Sequence, residues 1–220
     1  SMICCVIFLQ GCSQEQEVKK EMANMETALL AATEKNETNT VISLLKQGAN
    51  INATDSQGRT PLMIATYKND VKTAKVLIEA GADVNIQDDM KNNPFLYAGA
   101  EGYLDILKLT IDAGADPTIT NRYGGTALIP ASEHGYIDVI KELLTRTNID
   151  VNHVNNLGWT ALMEAIVLNN GNETQQQVIR LLIEHGADVN IPDNDDVTPL
   201  EHARAHHFEE IEKILLEGRK

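Results

Sequence analysis

Two histidines near the end of the chain have the spacing of a metal-binding pair. His202 and His206 lie in the segment EHARAHH at positions 201–207, so a helix would place both imidazoles on one face, with Glu201 beside them. One hypothesis is therefore a metal-dependent enzyme that uses Glu201, His202 and His206. No third ligand is evident in the sequence, and the alternative interpretation is a solvated helix end.

Other motifs of catalysis and ion binding are incomplete or missing. The segment DNDD at positions 193–196 resembles part of a calcium loop but lacks its glycine and its closing glutamate, so a turn is favoured. The sequence has no phosphate-binding glycine loop, no nucleophile elbow and no cysteine after position 12. We therefore predict a protein that is not an enzyme and that has no cofactor and no metal site.

Cys12 is a candidate for covalent modification. It ends the segment LQGC at positions 9–12, after the uncharged apolar run Ile3–Leu9, and this arrangement resembles the lipobox of bacterial lipoproteins. The resemblance implies lipidation of Cys12 and an extracytoplasmic, membrane-anchored protein. Two features depart from the pattern, because Gln10 is unusual at its position and no Lys or Arg precedes the run. The alternative is an apolar segment that packs on the domain or on a partner, in a cytoplasmic protein.

The charge of the chain restricts its partners. Eighteen Lys and Arg against 32 Asp and Glu give a formal net charge of -14, which repels nucleic acid and anionic lipid headgroups. We expect no nucleic-acid partner and no membrane contact except through an anchor at Cys12. A protein with a basic surface would complement this charge, although acidic surfaces also serve solubility alone.

The elements that would position any site repeat along the chain. Thr60, Asn93 and Thr126 are spaced by 33 residues, as are Gly48, Gly81 and Gly114, so two independent markers share one period. In one such unit Thr60 is a good N-cap and Pro61 occupies the first helical position. Leu62, Ile64 and Ala65 face inward, a second apolar helix follows Asp70, and Gly81 ends that helix. A hairpin of this kind buries its faces only by stacking on copies of itself.

The period, the TPL openings and the GADVN endings resemble the ankyrin repeat. The resemblance implies an all-α solenoid of about six stacked helix-turn-helix units with turn fingers, and we expect a monomer. It covers residues 24–220, after a leader at 1–12 and a polar tether at 13–23. One helical apolar stripe, formed by Val18, Met22, Met25 and Leu29, predicts that the tether continues as a helix into the first repeat. The expected units are 24–57, 58–90, 91–123, 124–157, 158–195 and 196–220, of which the first and last act as caps.

Binding to another protein is the function that the resemblance implies, as a scaffold, an inhibitor or a stabiliser. Partners of such repeats contact the turn tips and the exposed ends of the first helices. Met90, Tyr123, Leu157 and Trp159 put apolar side chains at successive tips, where the core does not need them, and we expect one continuous strip. The alternatives are that Trp159 only seals the stack, or that the chain is a spacer with no specific partner. The predicted partner-binding residues are Arg59, Tyr67, Met90, Asn92, Arg122, Tyr123, Leu157, Trp159, Val167 and Leu168.

Three local departures from the repeat carry expectations of their own. Gly99 inside a first helix should weaken that helix by about 1 kcal/mol relative to Ala. The segment TRTNID at 145–150 replaces the glycine that ends the other second helices. The segment NNGNETQQQ at 169–177 is predicted to be a polar insertion between two helices, with Asn172 as a cap, serving either as a tolerated loop or as a recognition feature.

Overall fold

A computed structural model describes the backbone of residues 3–218 and the side chains from Gln14 onward. Its regular secondary structure is entirely helical over that range, and we number the helices α1 to α12. They are α1 Ile3–Glu34, α2 Thr38–Lys46, α3 Pro61–Tyr67, α4 Val71–Glu79, α5 Pro94–Glu101, α6 Leu104–Asp112, α7 Leu128–His134, α8 Ile137–Arg146, α9 Ala161–Val167, α10 Glu173–Glu184, α11 Pro199–Ala205 and α12 Glu209–Glu217. The residues form two compact units, one ending at Asp83 and the other beginning at Val84.

The N-terminal unit contains α1 to α4. The end of α1 packs on α2 and α3, and α3 packs on α4. Along the predicted apolar stripe, Leu29 is fully buried while Val18 and Met22 are exposed, so only the C-terminal part of the stripe contributes to the core. The hydroxyls of Thr38 and Thr73 lie 2.9 Å apart and join α2 to α4.

The C-terminal unit contains α5 to α12 in two layers. Helices α5, α7, α9 and α11 pack side by side in one layer, and α6, α8, α10 and α12 form the other. The core between them is apolar, and Phe95, Leu128, Leu162 and Ile140 are fully buried. Each helix pair thus buries its apolar faces against neighbouring pairs, as the repeat pattern predicts.

The helix starts follow the predicted capping chemistry. The Thr60 hydroxyl accepts the N–H of Met63, and Pro61 follows it. Thr198 and Glu201 form the predicted capping box, and Asn172 caps α10 by accepting the N–H of Gln175. These three predictions are confirmed. Thr126 is different, because α7 begins only at Leu128 and the buried Thr126 hydroxyl has no hydrogen-bond partner.

The local departures from the repeat have structural causes. At Gly99 an added Cβ would lie 2.9 Å from the Cβ of Ala127. Glycine lowers the helix propensity there, but the absence of a side chain allows α5 to approach the start of α7 closely. Helix α8 ends on Thr147 in an extended conformation, which confirms that TRTNID terminates it without glycine. The predicted insertion at 169–177 is wrong in its extent. Only residues 168–172 separate α9 from α10, and 173–177 lengthen α10 because Asn172 caps a helix there.

The side chain of Cys12 lies outside the described side chains. Backbone residues 13–23, the predicted tether, belong to α1. Over the residues that the structure describes, none of the helices combines the length and the apolar character needed to cross a bilayer.

Candidate functional site

The turns that precede the first helices share one hydrogen-bond pattern. Asn121 accepts the backbone N–H groups of Tyr123 and Gly125 through its side-chain oxygen, and a backbone pair between positions 121 and 125 closes the turn. Asp55, Asp88, Asn155 and Asp193 do the same two and four residues downstream. One side chain therefore satisfies two amides of each turn, and the first of these amides belongs to the residue at the tip.

The fourth residue of each turn has a positive φ. Gly58, Gly124 and Gly158 occupy that position in three turns, and Lys91 and Asp196 adopt φ values of 62° and 60° in the other two. This left-handed residue reverses the chain directly after the tip. The tip side chain consequently projects away from the helices instead of into the core.

In the C-terminal unit three successive tips carry apolar side chains. Met90, Tyr123 and Leu157 are 49%, 56% and 59% exposed. Arg122 connects two of them, because its guanidinium lies 4.7 Å from the centre of the Tyr123 ring and its Nη1 lies 3.7 Å from the Met90 sulfur. These contacts link the first two tips through one side chain.

The three tips border a cavity of about 420 Å³, which we call the groove. Its walls come from the turns and from α5, α7 and α9, the first helices of three successive pairs. Tyr97, Ile129 and Leu168 add apolar surface, and Glu101, Glu133 and Glu164 add one carboxylate from each helix. The groove has the size and the largely apolar lining of a ligand pocket.

Glu164 is the most unusual residue of the groove, because only 6% of its surface is exposed. Its Oε1 accepts a 2.7 Å hydrogen bond from the Nδ2 of Asn155. Burial and, to a smaller extent, the nearby Glu133 carboxylate raise the pKa of Glu164, the Asn155 hydrogen bond and His134 lower it, and the net result is a pKa of about 7. A carboxyl group that changes charge near neutral pH therefore faces this cavity.

The groove brings together six of the predicted partner-binding residues, namely Met90, Asn92, Arg122, Tyr123, Leu157 and Leu168. Trp159 and Val167 belong to the same unit but are half-buried and do not line the groove. Of the four residues of the expected strip, Met90, Tyr123 and Leu157 are exposed and line the groove, and Trp159 does neither. Arg59 and Tyr67 lie in the N-terminal unit, where Arg59 forms a 2.7 Å ion pair with Asp55.

Sequence reasoning missed Glu164 and its partner Asn155. A signal was present, since Glu164 occupies the first-helix position that holds Ile64, Tyr97 and Pro130 in the preceding repeats. A carboxylate at a position that is otherwise uncharged in these repeats indicates either a local hydrogen bond or a ligand. The alignment of the repeats shows this exception, but only coordinates show that the side chain reaches a groove.

The three residues of the hypothetical metal site near the C-terminus, Glu201, His202 and His206, each contact another residue of the chain. Glu201 accepts the N–H and the hydroxyl of Thr198, which lowers its pKa. The Nε2 of His202 lies 2.7 Å from Oδ2 of Asp193, and His206 stacks on Phe208. Within the described residues there is no group of three or more His, Cys, Asp or Glu side chains arranged to hold a metal ion.

A family model described as "Ankyrin repeats (3 copies)" matches residues 2–88 and 95–193. The ankyrin repeat protein YahD of Escherichia coli K12 is 53% identical over 76 residues. That match covers 34% of this chain and 38% of the E. coli protein, so the aligned region spans well under two thirds of that relative.

Solved structures extend the similarity along most of the chain. An ankyrin repeat domain from Acinetobacter baumannii AYE is 49% identical with a TM-score of 0.85, covering 87% of this chain and 97% of that one. The ankyrin repeat protein EF0377 is 42% identical with a TM-score of 0.84, over 87% and 98%. The ankyrin repeat domain of Bcl-3, of the IκB family, is 24% identical with a TM-score of 0.77, over 87% and 85%, and shares the fold. The predicted all-α ankyrin solenoid is confirmed, and repeats of this kind generally act as protein–protein interaction modules.

Proposed function

The chain belongs to the ankyrin-repeat family, and on this premise we propose that it is a non-enzymatic module that binds another protein. The binding surface consists of the three apolar tips, Met90, Tyr123 and Leu157, together with the groove behind them. The protein acts by presenting a preformed surface, which lowers the entropy lost on association.

The observation that supports this proposal most strongly is the exposure of the three tips. A chain that repeats one turn can place any residue at the tip, and the other two turns have Gln57 and Asp195 there. Exposure of large apolar side chains to water is unfavourable, and a partner that covers them on successive turns would gain the free energy of burying them. The turn hydrogen bonds order the backbone that carries these side chains, and Arg122 contacts two of them.

The test is capture of a partner from an extract of the cells that make the protein, with quantitative mass spectrometry. Wild type is compared with the double variant Tyr123→Ser/Leu157→Ser. Leu216→Ser is the matched control, because Leu216 is an exposed leucine on α12 that does not line the groove. We expect one protein to be retained by wild type and by the control, to be lost with the double variant, and to bind again when purified. Retention by all three proteins would contradict the proposal, as would the absence of any specific partner, which is the outcome for a spacer.

We further propose that Cys12 carries a lipid that attaches the protein to a membrane outside the cytoplasm. Support comes from the LQGC segment and the apolar run before it. Stable attachment requires more than one acyl chain or an additional membrane contact, and a net charge of -14 offers no electrostatic help at an anionic surface. The intact mass of membrane-extracted protein, compared with a Cys12→Ser variant, tests the proposal. An unmodified mass in the extracted wild type would contradict it.

A further inference from the structure

The walls of the groove have an uneven distribution of charge. Three carboxylates, from Glu101, Glu133 and Glu164, belong to three successive first helices. Among the described side chains that line the groove, Arg122 is the only Lys or Arg. Its guanidinium already lies against Tyr123 and Met90 at the rim. The helices of the groove therefore contribute acidic side chains, of which Glu164 is the buried one, and the turn tips contribute apolar side chains.

None of these carboxylates has a strong cationic partner within the described part of the chain. The Glu133 carboxylate lies 4.0 Å from Nδ1 of the His134 ring, and the Glu164 carboxylate accepts a hydrogen bond from the neutral amide of Asn155. A buried carboxylate with one neutral hydrogen bond is under-compensated, because burial removes the water that would stabilise its charge. An incoming cation would restore that stabilisation with a charge-assisted hydrogen bond.

The apolar surface determines what kind of cation fits. Met90, Tyr123, Leu157 and Leu168 surround the entrance, and they would pack against the methylene stem of a long basic side chain. The ring of Tyr97, which lines the same groove, offers a cation–π contact to its charged end. Apolar side chains provide no ligands for a bare metal ion, and the described carboxylates are not grouped to hold one.

We propose that the groove receives one lysine or arginine side chain from a segment of the partner protein, with apolar residues on either side of it, and that Glu164 pairs with the charged end. This inference rests on the proposed function and specifies the chemistry of the partner. It assigns recognition of the partner to a buried carboxylate, whereas the three tips supply apolar contact around it.

The experiment is a selection from a displayed library of seven-residue peptides on the whole 220-residue chain. Selections run in parallel on wild type, on Glu164→Gln and on Glu184→Gln, the control that removes an exposed carboxylate from α10. We expect wild type and the control to enrich peptides with a central Lys or Arg between apolar residues. The enrichment of the basic residue should disappear on Glu164→Gln, which can still accept the hydrogen bond from Asn155.

A second measurement uses the peptide side, so that it does not depend on the folding of any variant. The best peptide is synthesised with Lys and with norleucine, which keeps the stem and lacks the charge, and both are titrated into wild type. Loss of the charge should weaken binding at least about tenfold. Selection of peptides without a basic residue, equal enrichment on Glu164→Gln, no enrichment at all, or equal affinity for norleucine would each overturn the inference.

Failure of this inference is distinguishable from failure of the proposed function. If selected peptides lack a basic residue but lose binding on Tyr123→Ser/Leu157→Ser, then the groove binds protein through apolar contacts alone. If peptides bind equally well to that double variant, then the tips are not a binding surface and the proposed function itself is wrong.

Discussion

The Nδ2 of Asn155 donates a 2.7 Å hydrogen bond to Oε1 of Glu164, nine residues further along the chain. The same spacing recurs in the next repeat, where Asp193 contacts His202 at 2.7 Å. In each case the residue that orders the turn also holds a side chain of the first helix. Asn155 thereby couples the position of the Leu157 tip to the position of the buried carboxylate, which makes the groove a preformed unit.

Glu164 should make stability depend on pH. Its pKa is raised from 4.5 to about 7 in the folded protein, so between these values the folded state binds more protons than the unfolded state. The free energy of unfolding therefore falls as pH rises through this window, by up to about 3 kcal/mol. Glu164→Gln removes this pH dependence. In urea unfolding, the free energy of unfolding of the variant should therefore rise relative to that of wild type between pH 4.5 and pH 7.5. Parallel curves for the two proteins would contradict the assignment, and Glu184→Gln is the control for the loss of an exposed carboxylate.

Close packing at Gly99 should make an alanine there harmful despite its better helix propensity. Alanine gains about 1 kcal/mol of propensity in a helix interior, but its Cβ would lie 2.9 Å from Ala127 Cβ, and overpacking costs about 1–3 kcal/mol. We expect net destabilisation of Gly99→Ala in chemical denaturation. The double variant Gly99→Ala/Ala127→Gly should recover part of the loss, with a coupling energy of about 1 kcal/mol. Additive effects would show that the two residues do not limit the approach of α5 and α7.

Two glycines with similar backbones should differ in their tolerance of alanine. Gly124 and Gly114 have φ values of 72° and 82°, so an alanine costs roughly 1–2 kcal/mol at either site from backbone strain alone. Around Gly114 there is open space, whereas a Cβ on Gly124 would clash with Oδ1 of Asn156 and would lie 3.2 Å from its backbone nitrogen. That nitrogen donates to the Tyr123 carbonyl. Gly124→Ala should therefore destabilise the protein more than Gly114→Ala, by about 1 kcal/mol, in thermal or denaturant unfolding. Equal losses would contradict this account of the turn contact.

Thr160 and Thr126, two of the buried threonines at repeat starts, should respond differently to valine. Thr160 Oγ1 accepts the N–H of Met163 at 3.2 Å, and loss of an N-cap costs about 0.5–2 kcal/mol. Thr126 Oγ1 is buried without a hydrogen-bond partner, so replacing the hydroxyl with a methyl group should be neutral or stabilising. The difference between the changes in unfolding free energy caused by Thr160→Val and by Thr126→Val gives the contribution of the Thr160 cap to stability. A loss at Thr126 as large as at Thr160 would show that its hydroxyl has a partner in solution.

Local sequence patterns were sufficient to predict the repeating helices and most of their ends. Each cap acts within three residues, as Thr60 does on Met63 and Asn172 does on Gln175, so the chain carries that information in one short stretch. The apolar periodicity that buries Leu62 and Leu162 is equally local. The same reasoning failed at 169–177, since a favourable cap at Asn172 extended α10 into residues that look like a polar loop.

Contacts between repeats decided what the groove is. The groove is lined by side chains from successive repeats, about 33 residues apart in the chain. One example is the contact of Arg122 with Met90, and the position of Trp159 outside the groove is likewise visible only in the packed structure. The pKa of Glu164 depends on burial and on Glu133 from the preceding helix pair. Repetition in the sequence predicts that neighbours will stack, because a single hairpin cannot bury its own faces. The exact distances between unlike side chains at each junction arise only when those faces pack together.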